Sequence, residues 1–564
     1  MSELTYKDYV IRNQTYIEIQ PINDLKFRSS IGFTTKQSRF KQYASPEAYW
    51  GKSSNGYSTR TNTFDYTIIQ NNQLTYSRKI NLHNFTAIAG SEILKEKTED
   101  LKSGAQDVSH PYFKELGQYL SALPLSSGGW GSAYTEHTMV SFYGIINYDY
   151  NNKYFLDLSF RTDGESRFRK DNQWGQFWSV GAQWNIKSES FMESIEILSS
   201  AKLRGSIGTQ GNSGIGNYAS RNLYSVGASY YGKPGTALSS IGGDDLTWEK
   251  STAYNVGIDA GVLENRFRAS IDLYKRDIDN MFIAVPITLT SGLKSRTENA
   301  AKMYNKGIEV TLSADIVRNK DWNINIEGNL SINKNEVTRI HSAVDRIVGD
   351  WGIITPGKSV GQFYQVKWAG VNPVNGDPLW YDKEGNFTNE YSEDDRTFLE
   401  GKNYLPNKTA GLTLNANYKG IGMQAIFTSI WDKWVANNNL YYFELDNGAN
   451  AGQFNHTKKT MDFWKKPGDI TEFPRLYSKA QQFDSRMIEN QSFIRLKNVT
   501  LYYDFNKKTL APLKVVRSAR LYAMAQNLWT LTDYRGLDPE VSGAQDLGTY
   551  PASRTFTFGV ELSF

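Results

Sequence analysis

The chain has 564 residues, with 63 basic and 59 acidic side chains mixed throughout and a net charge of +4, so no basic block points to nucleic acid. Mean hydropathy is −0.53 and no run of about 18 apolar residues occurs, which excludes a helical membrane span. Cysteine is absent, which excludes disulfides and thiolate metal sites, while the 35 Tyr, 14 Trp and 46 Gly suit interfacial girdles and tight strand corners.

In chain order, Met1 to Asn13 contains Glu3, Lys7, Asp8 and Arg12 and has no apolar centre, so it does not read as a secretion signal. Strands are predicted near 14–20, 25–39, 61–79, 82–95, 136–150, 153–168, 175–187, 198–211, 252–262, 265–283, 303–318, 321–338, 408–418, 421–433, 491–505, 515–529 and 552–564. Their common mark is period-two alternation. Tyr154, Leu156, Leu158 and Phe160 alternate with Asp157, Ser159 and Arg161, and Val256, Ile258, Ala260 and Val262 with Asn255, Gly257 and Asp259. From 322 to 333, Trp322, Ile324, Ile326, Leu330 and Ile332 oppose a row of Asn, Glu and Ser. The last strand sets Phe556, Phe558, Val560, Leu562 and Phe564 against Thr555, Thr557, Gly559, Glu561 and Ser563, the pattern of a closing strand in a membrane barrel. No long stretch has helical period, so the fold class is all-β.

The connectors sort into two sets. Short ones fall at 21–24, 80–81, 151–152, 263–264, 319–320 and 419–420, with slightly longer members at 188–197 and 506–514. Long ones fall at 40–60, 96–135, 212–251, 284–302, 339–407, 434–490 and 530–551, and only 169–174 is short on the long side. This asymmetry predicts an antiparallel transmembrane β-barrel with short periplasmic turns and long extracellular loops. A sandwich or propeller has no reason for it. Seventeen strands is an odd number, and single-chain bacterial barrels have an even one. A barrel of about 22 strands leaves about five before residue 14, so residues 1–564 read as a barrel domain incomplete at its N-terminus, without signal, TonB box or plug.

Several segments resemble the SusC/RagA-type TonB-dependent transporters of the Bacteroidetes outer membrane. Arg161-Thr162-Asp163-Gly164-Glu165-Ser166-Arg167-Phe168 with Trp174-Gly175-Gln176-Phe177 is similar to the family's RxDGSSRF…WGxF block, with Glu165 in place of Ser and Trp178 in place of Pro. Leu246-Thr247-Trp248-Glu249-Lys250, Asn305-Lys306-Gly307-Ile308-Glu309, Ser492 to Leu501, Gln526 to Tyr534 and Gly536 to Glu540 resemble its later blocks in the same order. The resemblance covers roughly residues 60 to 564. It implies a barrel in the cell outer membrane that imports large nutrients, oligosaccharides or peptides, with a SusD-like lipoprotein lid. The TonB–ExbB–ExbD system would act through a plug that this chain does not contain.

Candidate substrate or lid contacts are the loop aromatics Trp130, Trp351, Trp380, Tyr381, Trp434, Tyr441 and Trp464, because aromatic faces stack on sugar rings and contact peptides. They equally serve to pack loops together. Asn372 to Asp377 reads as a turn rather than a calcium loop, since the spacing of acidic ligands is wrong. Gly205 to Gly216 lacks the Lys-Ser/Thr ending of a phosphate loop. The five histidines have no metal spacing, so neither metal nor cofactor nor catalytic residue is expected. Two other readings compete: a surface all-β enzyme acting on glycans, which needs a carboxylate pair about 5–10 Å apart, and a non-functional barrel fragment.

Overall fold

The computed structural model describes residues 2–48, 50–108, 110–122, 130–341, 344–445 and 455–564. Among these, seventeen strands have nine residues or more. They are β1 (Ser2–Ile22), β2 (Leu25–Ala44), β3 (Tyr57–Ile80), β4 (His83–Val108), β5 (Gly131–Tyr150), β6 (Tyr154–Glu165), β7 (Trp174–Asn185), β8 (Leu198–Asn212), β9 (Glu249–Val262), β10 (Phe267–Pro286), β11 (Ser295–Arg318), β12 (Trp322–Arg339), β13 (Lys408–Tyr418), β14 (Ile421–Trp431), β15 (Phe493–Asp504), β16 (Ser518–Thr532) and β17 (Thr555–Ser563). Each answers one predicted strand. The chain divides into two units, the first Met1–Ala182, Ser206–Thr252 and Asn280–Asn299, the second Gln183–Gly205, Ala253–Asp279 and Ala300–Phe564.

In the first unit β1 to β6 pair in sequence order, all antiparallel. The turns have the residues they need. Asn151 and Asn152, between β5 and β6, both take positive φ (54° and 55°), the type I′ geometry that suits right-twisted strands. Register puts like with like. One face carries the row Ile19, Phe27, Leu74, Ala89 and Gly144, and the next outward rows include Ile17, Ile31, Ile93 and Phe142. Aromatic rings bound this band at both ends. Tyr76 and Phe85 (6.5 Å), His83 and Tyr150 (4.9 Å) and Tyr154 lie toward the short turns, and Phe64, Tyr66, Tyr9 and Tyr134 toward the long loops. The residues from Phe64 to Tyr76 rise about 40 Å, and at a tilt near 40° they span about 30 Å, one hydrocarbon thickness.

β3 and β4, at 24 and 26 residues, run well past that band. The predicted strands 14–20, 61–79 and 82–95 were therefore too short, and the reason is physical. Toward the long loops the outward positions become Lys95, Lys97 and Glu99, opposite Ile68, Tyr66 and Phe64, and one row farther out Lys7 and Arg39, so the alternation disappears while the ladder continues.

In the second unit β11 to β17 pair in sequence order, again antiparallel. Rows extend across six strands: Trp322, Tyr418, Ile421, Tyr503, Leu521 and Val560, then Ile324, Ala416, Met423, Leu501, Ala523 and Phe558. Trp322 stacks on Tyr418 at 4.3 Å. The opposite face is wet: Asn415 Nδ2 donates to Asn325 Oδ1 (3.4 Å) and Gln424 Nε2 to Asn415 Oδ1 (3.0 Å). Gly422 and Gly559 lie under the rings of Tyr502 and Tyr522, where a Cβ would stand 2.0 and 2.4 Å from ring atoms. Phe556, Phe558, Val560, Leu562 and Phe564 are exposed, as positions against lipid must be.

The loops hold structure that the sequence reading left blank. In the second unit 362–365 pairs with 397–403, 368–371 with 378–381, and 434–437 with both 488–490 and 545–546. These small sheets enclose a core of Trp351, Phe363, Leu399, Ala436, Leu445, Met487 and Ile488. The three longest C-terminal connections are thus one packed body.

The rows define depth. Leu412 lies six residues from the Tyr418 girdle on the apolar face, near mid-membrane by the same rise and tilt, and Thr413 is on the wet face. Leu412→Arg is expected to lower unfolding free energy by about 2–4 kcal/mol, and Thr413→Arg by less than about 1 kcal/mol, in urea titrations of the chain folded into lipid vesicles. Equal effects of the two would contradict the facing assigned here.

Candidate functional site

Two sites gather polar and aromatic side chains, one in each unit. In the first unit the wet face of β1 to β4 is concave, with a cavity of about 660 Å³ lined by Arg12, Glu18, Arg28, Asn71, Gln73 and Glu92 among others. Register places these residues on the face opposite the apolar rows. Asn71 Nδ2 donates to Glu92 (3.3 Å), and Arg161 bridges Glu92 (3.1 Å), Asp163 (2.7 Å) and Ser141 (2.8 Å). The Tyr143 hydroxyl meets Asn71 at 3.3 Å, its ring lying over Gly90, where a Cβ would fall 2.3 Å from it. The result is a hydrogen-bonding wall with both charge signs, able to hold a polar ligand with many donors and acceptors.

In the second unit the candidate aromatics separate by role. Trp380 is 1% exposed. Its Nε1 donates to Asp484 (2.8 Å), and its ring meets Trp368 and Tyr391 edge to face. Arg486 closes this cluster, bonding Asp484 while covering the Trp368 ring at 3.8 Å. Trp351 is buried and packs edge-on against Phe483, which stacks on Tyr441 at 4.5 Å and 8°. Trp434 is half-buried beneath the Lys402 ammonium, 4.6 Å above its ring. Tyr381 pairs with Phe387 (5.3 Å). Trp464 donates to Pro373 O (3.2 Å) and covers Gly376, so the turn at 372–377 is an Asn–Gly turn, as expected, clamped by Arg475 on Asp377 (2.9 Å). Trp130 belongs to the first unit and is 55% exposed.

The structure thus brings Trp351, Trp434 and Tyr441 onto one core, with Tyr442 and Phe443 beside them at the surface, and leaves Trp380 as interior scaffold. The sequence reading missed Phe483, Lys402, Tyr391 and Tyr404. Burial depresses the Lys402 ammonium and raises the Tyr404 hydroxyl, and pushes Tyr391 up to about 12. Nothing in their local sequence marks them, because their partners lie dozens of residues away.

The sequence blocks singled out above bind one another. Arg495 is 3% exposed; it grips Asp538 (2.6 Å) and Glu540 (2.6 Å), and Lys497 adds a bond to Glu540 (2.8 Å). Asp538 also accepts from the Glu540 and Ala552 N–H groups. In the first unit Phe168 and Phe177 of one block and Trp248 of the next share one core with Ile215 and Leu246, and Glu165 accepts from the Arg167 N–H (3.1 Å). In the second, Gly307 leaves room for Ile332 O and the Tyr274 hydroxyl. Among the described residues no group of His, Asp and Glu is arranged to hold a metal.

A large antiparallel sheet with lipid-type rows, long loops on one side and short turns on the other defines the class of outer-membrane β-barrels. The family described as "TonB dependent receptor-like, beta-barrel" matches residues 5–528. TonB-dependent receptor P3 of Formosa agariphila is 26% identical over 98% of this chain and 58% of its own length. TonB-dependent receptor SusC of Bacteroides thetaiotaomicron is 28% identical over 96% of this chain and 54% of its own. The solved RagAB peptide transporter superposes with a TM-score of 0.89 at 31% identity, covering 100% of this chain and 63% of that one. The chain belongs to the TonB-dependent receptor-like β-barrel family and is of its SusC/RagA type, a protein of the cell outer membrane. It spans a little over half the length of the curated relatives it matches.

The Arg495 clamp is testable by pH. Burial raises the Asp538 carboxyl, but the Arg495 guanidinium and two N–H groups lower it further, leaving it below its ordinary value. A depressed carboxyl stabilises fully above the unfolded value near 4, and the contribution is lost as pH falls through the lower folded value. Segment 530–551 is therefore expected to resist an acid protease at pH 5 and to become cleavable below about pH 4. Arg495→Met removes the cation paired with the buried Asp538 carboxylate, at a cost of about 3–5 kcal/mol, so limited proteolysis should open the segment already at neutral pH.

Proposed function

We propose that this chain is the barrel portion, one domain over residues 1–564, of a transporter that imports large nutrients, peptides or oligosaccharides, across the outer membrane. Membership of the SusC/RagA type carries the reading. The proposed partners are a SusD-like lipoprotein that closes over the long-loop side and the TonB system acting through a plug. The relatives are receptors and transporters, and we read no enzyme here.

Ligand would meet two surfaces in turn. The aromatic edge of the second unit's loop body, with Trp434, Tyr441, Tyr442 and Phe443, offers stacking area. Trp351, Trp380, Tyr381 and Trp464 hold that body rigid, and Trp130 is a separate contact in the first unit. The wet strand faces then offer hydrogen bonds and charges of both signs: Arg161 with Glu92 and Asp163, and in the second unit Arg204 with Asp259 (2.9 Å) and Asp272 (2.8 Å). Charge pairs of this kind favour peptides, whose termini and side chains are charged. The aromatics keep oligosaccharides as the second reading.

Deleting the reading frame that encodes this chain is expected to abolish uptake of labelled peptides by the source cells, and depleting TonB to do the same. Unchanged uptake of both peptides and oligosaccharides removes the importer reading. Tyr441→Ala with Tyr442→Ala is expected to weaken ligand binding about tenfold in equilibrium titrations while the strands remain folded.

A further inference from the structure

The loop body of the second unit draws several basic side chains out of water, and nearly all of them have an acceptor. Lys358 bonds Glu400 (2.7 Å), Arg396 bonds Glu393 (2.7 Å), Arg486 bonds Asp484 (2.6 Å) and Arg495 bonds Asp538 (2.6 Å). The buried Lys433 ammonium donates to the Val541 carbonyl. Lys402 differs. It is half-buried, and its ammonium lies 4.6 Å above the Trp434 ring. No carboxylate, carbonyl or hydroxyl among the described residues accepts from it.

An indole face attracts a cation, but an ammonium carries three N–H donors, and a ring satisfies none of them as an oxygen would. Burial holds the Lys402 ammonium below the ordinary lysine value, and no neighbouring carboxylate offsets that. The acids nearby are already engaged. Glu400 is on Lys358, while Glu444 (2.8 Å) and Glu489 are both on Arg535. Asn490, opposite Trp434 in register, gives its side-chain oxygen to the Ser492 N–H (2.9 Å). The place is well defined. Lys402 lies in the strand 397–403, which pairs with 362–365, and Trp434 opens the strand 434–437, which pairs with 488–490. Trp434 and Tyr441 pack on the same core, so the unanswered ammonium belongs to the aromatic edge offered to ligand. Lys402 and Trp434 each keep one side open to solvent.

We propose that Lys402 binds the C-terminal carboxylate of an imported peptide, with Trp434 as the residue that positions the ammonium. A carboxylate brings the charge and the acceptor oxygens that the site lacks. A charge-assisted bond in a partly desolvated place is stronger than the same bond at an open surface. An ammonium already held against a ring also loses less freedom on binding. Adjacent aromatic faces would take apolar side chains near that end of the peptide. A peptide is favoured over an acidic sugar because the wet strand face of the same unit carries both charge signs, Arg204 with Asp259 and Asp272, which suits a chain with charges of both signs. The inference rests on the importer reading and adds to it a requirement for a free carboxyl end.

The test holds the full chain in lipid nanodiscs and offers a mixed-sequence peptide library made without Asp or Glu, with its C-terminus either free or amidated. Retained peptide is measured by mass spectrometry. The free-acid form is expected to be retained about tenfold over the amide. Lys402→Met should erase that preference and leave retention of the amide unchanged, which also reports that the variant is folded. Lys465→Met, which removes an exposed ammonium from above the Phe463 ring (5.2 Å) on the same body, should keep the preference. Equal retention of acid and amide by the native chain overturns the inference and leaves peptide import standing. Retention of neither form removes the peptide reading and the inference with it. A preference that survives Lys402→Met overturns the assignment to that residue. Retention of a uronate oligosaccharide in place of the peptides, lost in Lys402→Met, shows an acidic-sugar site and overturns the peptide source.

Discussion

A peptide group in hydrocarbon has no water to bond, so every N–H and C=O within the apolar band must find its partner in a neighbouring strand. The rest of this protein depends on that requirement. The pairings of β2 with β3 and of β3 with β4 run without a register shift for their whole length, as does β13 with β14. Because side chains alternate, an unbroken register also fixes the facing of every residue at once. Six-strand rows of lipid-type side chains in the second unit, and a wet wall behind them, are two consequences of the same ladder.

The loop body of the second unit obeys the opposite physics. It is built as a water-soluble domain is, with a core of Trp351, Phe363, Met487 and Ile488 and a buried carboxylate held by its neighbours. Asp484 is fully buried and is satisfied by Trp380 and Arg486. Arg495 ties that body to β15 and to the 538–540 turn. Leaving a charge unpaired there costs far more than the pair itself contributes, which makes the clamp a device for holding one loop conformation rather than a source of net stability. A rigid loop body suits any surface that binds a ligand, since ordering loops on binding consumes affinity.

Between these regimes lies the zone where strands have left the lipid but not yet become loops. Here the outward face carries Lys7 and Arg39, one row past the Tyr9, Phe64 and Tyr134 girdle, with Arg39 over the Tyr9 ring. Strands that continue this far carry the ladder past the aromatic girdle, and charged side chains follow the rings.

The number and order of the long strands, the short turns, and the identity of the apolar face were all legible in the sequence, because each is a local property. Lipid on one side and water on the other impose a period of two, and Asn–Asn or Lys–Gly pairs mark the tight turns. Strand ends were not legible where the outer face turns polar, as at 2–13 and 96–108, since the ladder there leaves no trace in side-chain pattern. Nor was the loop body: Trp380 and Asp484 are 104 residues apart, and Arg495 and Asp538 are 43. The sequence showed Trp351, Trp380 and Tyr441 as equivalent aromatics. Only tertiary packing decided that Trp380 is interior scaffold and Tyr441 borders a surface, because burial depends on contacts between segments whose separation in the chain carries no periodic signal.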